Sequence, residues 1–91
     1  MALAIHFSPK SMSTAQYDDC IRRLDAAGAG HPAGRRQHIC FGTSGNLQVI
    51  DVWESQESFE RFGQVLMPIL AELGVDPGEP VIQALHNQIA G

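Results

Sequence analysis

Apolar and polar residues alternate from Ala2 to Phe7, with Leu3, Ile5 and Phe7 on one side and Ala4 and His6 on the other, the period of a β-strand. Ser8-Pro9-Lys10-Ser11 is turn chemistry. Ser13 then stands three residues before Gln16 as a capping box, with Met12 and Tyr17 spaced for a hydrophobic staple. A helix is predicted from there, because Tyr17, Cys20, Ile21, Leu24 and Ala27 recur at threes and fours and form one apolar stripe. Gly28 supplies its left-handed cap. Residues 29–35, with Gly30, Pro32 and Gly34, read as a surface loop. Residues 37–43 predict a second strand with Ile39 and Phe41 opposite His38 and Cys40, Ser44-Gly45 a hairpin turn, and residues 46–53 a third strand. In that strand Leu47, Val49, Asp51 and Trp53 share one face and Gln48, Ile50 and Val52 the other, so both faces carry apolar surface that asks for cover.

Ser55 is placed to cap a second helix, with Glu57 in the first turn complementing the dipole. Its apolar stripe is Phe59, Phe62, Leu66, Ile69, Leu70 and Leu73, and Pro68 within it predicts a kink or break near residues 64–67. Gly74, followed by Val75 within reach of Leu70, suits a Schellman cap. Residues 76–80 are a turn, and residues 81–86 predict the last strand. The order β-α-β-β-α-β is the split-βαβ, ferredoxin-like arrangement. It implies one α+β domain over residues 1–91, a four-stranded antiparallel sheet with both helices on one face. The other face is expected to carry Cys40, Val49, Trp53 and Leu85 or Ala84. Covering it with a second copy, sheet against sheet, makes a homodimer the expected assembly, with two dimers joined through helix faces or edge strands as a higher form.

A domain of 91 residues removes only about 60% of the unfolded chain's surface from water, so a covering partner would add materially to a thin core. The net charge of −4, with Arg22-Arg23 and Arg35-Arg36 the only basic pairs, leaves no electrostatic footprint for nucleic acid. The apolar run at the N-terminus is far too short to span a membrane and has no basic n-region or cleavage site, which points to the cytoplasm. Cys20 and Cys40 have no metal or redox spacing and read as reduced thiols in a helix and a strand.

The candidate chemistry lies in polar residues expected on the uncovered face: His6, His38, Asp51 and Trp53, with His86 on the last strand. Histidine titrates near neutral pH, so His6 or His38 beside a phenol or an acidic C–H could remove a proton, with Asp51 orienting it. The alternative is that these side chains hydrogen-bond within a dimer seam. Trp53 is either an aromatic wall for a flat ligand or a core anchor, and Tyr17 is a candidate at the rim. No spacing supports a metal held by His6, His38 and His86, and no nucleotide or flavin fingerprint is present. Arg35 and Arg36, after a glycine-containing loop, could hold a carboxylate or phosphate at a cavity mouth.

The order of elements, the strand ending in Val52-Trp53-Glu54-Ser55, and the helix beginning Glu57-Ser58-Phe59-Glu60-Arg61-Phe62 resemble the dimeric α/β-barrel superfamily, near its antibiotic biosynthesis monooxygenase-like group. The resemblance spans essentially the whole chain. It implies a small-molecule cavity and one of several activities: cofactor-free oxygenation of polycyclic phenols, haem degradation, lactone isomerisation, or ligand sensing without catalysis. The tryptophan at the matching place in the oxygenases implies the aromatic wall for Trp53. Haem-degrading members carry a histidine on the helix after the tryptophan, where this chain has Phe62-Gly63 and no histidine. The expected activity is therefore that of a monooxygenase or isomerase without cofactor, acting on an aromatic or enolisable substrate, with a non-catalytic binding or assembly module as the alternative.

Overall fold

The computed structural model describes residues 1–91. Strand β1 (Leu3–Phe7) is followed by helix α1 (Thr14–Ala26), the hairpin β2 (Arg35–Thr43) and β3 (Asn46–Trp53), helix α2 (Gln56–Glu72) and strand β4 (Val81–Ala84). The strands form one antiparallel sheet in the order β2-β3-β1-β4, the ferredoxin-like α+β arrangement expected from the element order.

The helix ends follow local chemistry. Ser13 Oγ accepts from Gln16 N at 3.0 Å and Gln16 Oε1 accepts from Ser13 N at 2.9 Å, a reciprocal capping box. Gln16 Nε2 also donates to Leu73 O at 3.1 Å, tying the first turn of α1 to the end of α2. Gly74 takes φ +72°, and Val75 N donates to Leu70 O at 2.9 Å, closing the Schellman motif. The break expected at Pro68 is absent, and α2 continues through it. The missing N–H takes one bond from the ladder, while Leu66, Ile69 and Leu70 keep their contact with the core on both sides of it.

Two boundaries differ from expectation. The last strand ends at Ala84, two residues early, and β2 begins at Arg35, two residues before its predicted start, with a register irregularity between Arg35 and Gln37. The extra residue, Arg36, makes a β-bulge. Alternation would put residues three apart on opposite faces, yet the bulge leaves Arg35, paired with Trp53, on the same face as His38, paired with Asp51.

The larger correction concerns which face the helices cover. Ile5, Leu47 and Trp53 pack with Cys20 and Leu24 of α1 and Phe62 and Leu70 of α2 in one core. The face bearing Val49, Asp51, Trp53 and Cys40 is thus the inner, helix-covered face, not the open one. Register gives the physical reason: Asp51 lies opposite Ile5, while His6 lies opposite Ile50 on the other side of the sheet. The outer face carries Ile39, Phe41, Ile50 and Val81, all exposed. Its next row, Ala4, Val52 and Gln37, is crossed by the C-terminal segment, since Leu85 N donates to Ala2 O at 2.9 Å and Gln88 Nε2 donates to Gln37 Oε1 at 2.8 Å. Val52, in that row, is buried.

Candidate functional site

A cavity of about 720 Å³ lies between the inner face of the sheet and the two helices, within one copy of the chain. Its walls are mainly apolar: Phe7 and Val49 from the sheet, Ile21 and Leu24 from α1, Phe59 and Leu66 from α2. Met67, half exposed, and the turn residues Pro77, Gly78 and Pro80 border it as well. A concave apolar site of this size with a few convergent polar groups is the ordinary form of a small-molecule pocket.

The polar groups converge in one chain of hydrogen bonds. His38 Nδ1 lies 2.6 Å from Asp51 Oδ1, His38 Nε2 lies 2.6 Å from Tyr17 Oη, and Trp53 Nε1 donates to Asp51 Oδ2 at 3.3 Å. The Tyr17 and His38 rings are nearly coplanar, 3° apart with centroids separated by 6.0 Å, which is the geometry of an in-line hydrogen bond between ring edges rather than of a stack. Asp51 is 3% exposed, and its carboxylate has an N–H donor on each oxygen. No buried side-chain nitrogen or oxygen lacks a partner, so the network meets the condition under which polar burial is tolerated.

The carboxylate sets the tautomer. An ionised Asp51 only accepts, so in the tautomer that satisfies it His38 Nδ1 donates to the carboxylate and Nε2 accepts from the Tyr17 hydroxyl. Burial, and after it the charge that Cys40 acquires at high pH, push the Tyr17 phenol up to about 12, with the Arg35 guanidinium pulling the other way. Tyr17 is therefore a protonated donor at neutral pH, with oxygen lone pairs left to accept from a ligand in the cavity. Burial likewise raises the Cys40 thiol, opposed by the neighbouring Tyr17, which keeps it from acting as a thiolate nucleophile near neutrality.

Of the residues singled out in the sequence, His38, Asp51 and Tyr17 come together and line the cavity. His6 does not: it is exposed on the outer face, 3.0 Å from Gln48 Oε1 through Nε2. His86 lies beyond β4 in the crossing segment, also exposed. Trp53 is wholly buried and is not part of the cavity wall. It is a core anchor, edge-on to Phe59 at 5.8 Å, whose indole N–H holds Asp51. His6 and His38 on opposite faces exclude the three-histidine metal set, and no group of three or more His, Cys, Asp or Glu side chains is placed to hold an ion. Arg35, expected with Arg36 at a cavity mouth, lines the cavity, whereas Arg36 is exposed and does not; Gln64 is a cavity residue that the sequence reading did not single out.

No family model matches the chain, and no curated protein matches it. Solved structures do. The chain superposes on protein YjcS with a TM-score of 0.66 at 8% identity, over 94% of this chain and 100% of that one. A candidate antibiotic biosynthesis monooxygenase of Chloroflexus aurantiacus gives a TM-score of 0.65 at 14% identity, with 97% of each chain covered. SnoaB, a cofactor-independent oxygenase of Streptomyces nogalater, gives 0.62 at 18% identity, over 99% of this chain and 96% of that one. The chain thus shares the fold of these proteins, a candidate antibiotic biosynthesis monooxygenase and a cofactor-independent oxygenase among them. No helix is long and apolar enough to cross a membrane.

Proposed function

We propose that this protein is a cofactor-independent enzyme of the monooxygenase kind, in which the Tyr17–His38–Asp51 chain takes a proton from a phenolic or enolisable aromatic substrate bound in the cavity. The observation that carries this reading is the hydrogen-bonded line of three titratable groups ending at an apolar cavity large enough for a polycyclic ligand. The substrate hydroxyl donates to Tyr17 Oη while the Tyr17 proton passes to His38 Nε2. The resulting imidazolium is held by buried Asp51, which removes the cost of charging a half-buried histidine. The substrate anion then gives an electron to dioxygen, the two radicals combine in a C–O bond, and the peroxide takes back the proton from His38. Loss of water leaves a carbonyl, so substrate and dioxygen balance against quinone and water without another redox partner.

The protein works as a homodimer in this reading. Ile39, Phe41, Ile50 and Val81 present an apolar face that a second copy would cover. At about 25 cal/mol per Å², hiding roughly 300 Å² there contributes about 7 kcal/mol, comparable to the whole stability of a small domain. The cavity lies on the opposite side of the sheet, so the dimer supports the site from behind without forming it.

The test is oxygen consumption with anthrone, whose enol is a phenol and whose oxidation by one dioxygen gives anthraquinone and water. The expected result is turnover by the wild type and its loss in His38→Ala with the fold intact by circular dichroism. Turnover that survives His38→Ala sinks the proposal. Ligand binding without turnover in a panel of such phenols favours the non-catalytic module.

A further inference from the structure

Arg35 is the one cationic side chain that lines the cavity, and it has no anionic partner. All six ion pairs of the molecule involve other residues. The guanidinium makes a single hydrogen bond to the protein, from Nη2 to Gly30 O at 3.0 Å, and its carbon lies 5.7 Å from the centre of the Phe62 ring. A guanidinium has five N–H donors in a fixed fork, so most of this one's donors are left without a protein acceptor. The ring contact and the Gly30 carbonyl restrict the side chain, which lowers the entropy cost of binding a second planar group.

Two carboxylates share the cavity with it. Asp51 is engaged on both oxygens by His38 and Trp53. Glu60 is exposed and accepts from Gln56 Nε2 at 3.2 Å. Neither comes within ion-pair distance of Arg35. The placement also depends on the irregularity in β2, because without the extra residue at Arg36 the side chains of Arg35 and His38 would leave the sheet on opposite faces. A bulge that turns an otherwise outward arginine into an apolar cavity, unpaired, is a device for meeting an anion.

We propose that Arg35 is a ligand-binding residue that makes the cavity selective for planar aromatic ligands bound as anions, a carboxylate or the phenolate or enolate formed at Tyr17. This deepens the proposed function by naming the charge class of its substrate, and rests on that reading only for the phenolate and enolate. The closing experiment uses binding alone, so the two claims fail separately: the oxygen assay addresses turnover and the titration addresses charge selection.

The experiment is isothermal titration of the wild-type protein with 2-naphthoate and with its neutral isostere 2-naphthamide at neutral pH and fixed ionic strength. The expected result is at least tenfold tighter binding of the carboxylate. Arg35→Gln removes that preference while leaving the amide within about twofold, Arg35→Lys keeps part of it, and Arg36→Gln, on the exposed neighbour, changes neither. If Arg35 serves only to balance the charge of Asp51, the two probes bind alike in the wild type. Equal binding, no binding of naphthoate, or a preference that persists in Arg35→Gln overturns the proposal. If the glutamine variant does not fold, equal wild-type binding still overturns the proposal, and an undiminished preference in Arg35→Lys counts against it.

Discussion

The indole of Trp53 donates to Asp51, two residues before it on the same strand and the same face, at 3.3 Å. The only tryptophan of the chain is thus the second support of the buried carboxylate whose first partner is His38. Trp53→Phe keeps an aromatic ring but leaves one Asp51 oxygen without its donor and opens space in the core. The expected loss is about 2–4 kcal/mol of stability, read from urea unfolding followed by circular dichroism, since the variant has no tryptophan to report by fluorescence. A loss below about 1 kcal/mol would show that the carboxylate finds water or another donor in its place.

Asp51→Asn is nearly the same size but cannot serve both neighbours. One end of its amide is a donor, and His38 Nδ1–H and Trp53 Nε1–H both need an acceptor. The imidazole then turns to the wrong tautomer or loses its hold, and the expected fall in turnover is at least about 100-fold, with a stability loss of about 1–3 kcal/mol. Steady-state oxygen uptake with anthrone reads the first effect, and unfolding reads the second.

Tyr17 is the single tyrosine, so phenolate absorbance titrates it alone. The expected midpoint is about 12 in the folded protein and about 10 in the unfolded chain. The folded state holds the phenolic proton more tightly. Its contribution to stability is therefore complete below about pH 10 and is lost as pH rises from there toward the folded value. A folded-state midpoint near 10 would mean that the hydroxyl faces open water.

Gly63 lies within α2 at the cavity, and a Cβ built on it meets nothing within 4 Å. Packing does not demand the glycine. Gly63→Ala should raise stability by about 0.5–1 kcal/mol through helix propensity with the oxygen assay little changed. Larger residues there, such as leucine, should cut turnover by occupying the cavity. A destabilised alanine variant would point to a backbone role that the helical geometry hides.

Charging the outer face tests the assembly apart from the site. Ile39→Asp with Phe41→Asp removes two of its exposed apolar residues, and sedimentation velocity should then find a monomer where the wild type is a dimer. A wild-type monomer at micromolar concentration would remove the homodimer from the reading.

Element order, caps and most boundaries were legible because each rests on neighbours in sequence: the Ser13–Gln16 box, the Gly74 cap, the alternation in β1 and β3. Faces were less so. β3 has apolar residues on both sides, and the polarity of Asp51 and His38 points them outward to the open face. They lie inward because each satisfies the other, which is a property of a cross-strand pair and not of either residue alone. His6 was grouped with them for its chemistry, although the β1–β3 register puts it on the far side. The bulge at Arg36 leaves no mark in the hydrophobic pattern, so the sequence suggests Arg35 and Arg36 alike for a cavity mouth and does not tell which of the two turns inward.

The Gln16 side chain, which closes the cap of α1 and reaches Leu73 at the end of α2, sits one residue from Tyr17. The phenol of the proposed relay is therefore carried by the helical layer, whereas its imidazole and carboxylate are carried by the sheet. The hydrogen-bonded chain therefore spans the seam between the two layers through one 2.6 Å contact. The proposed activity should accordingly fade with warming before the sheet melts, and Gln16→Ala, which cuts the tie between the helices, should lower that temperature without touching any ligand.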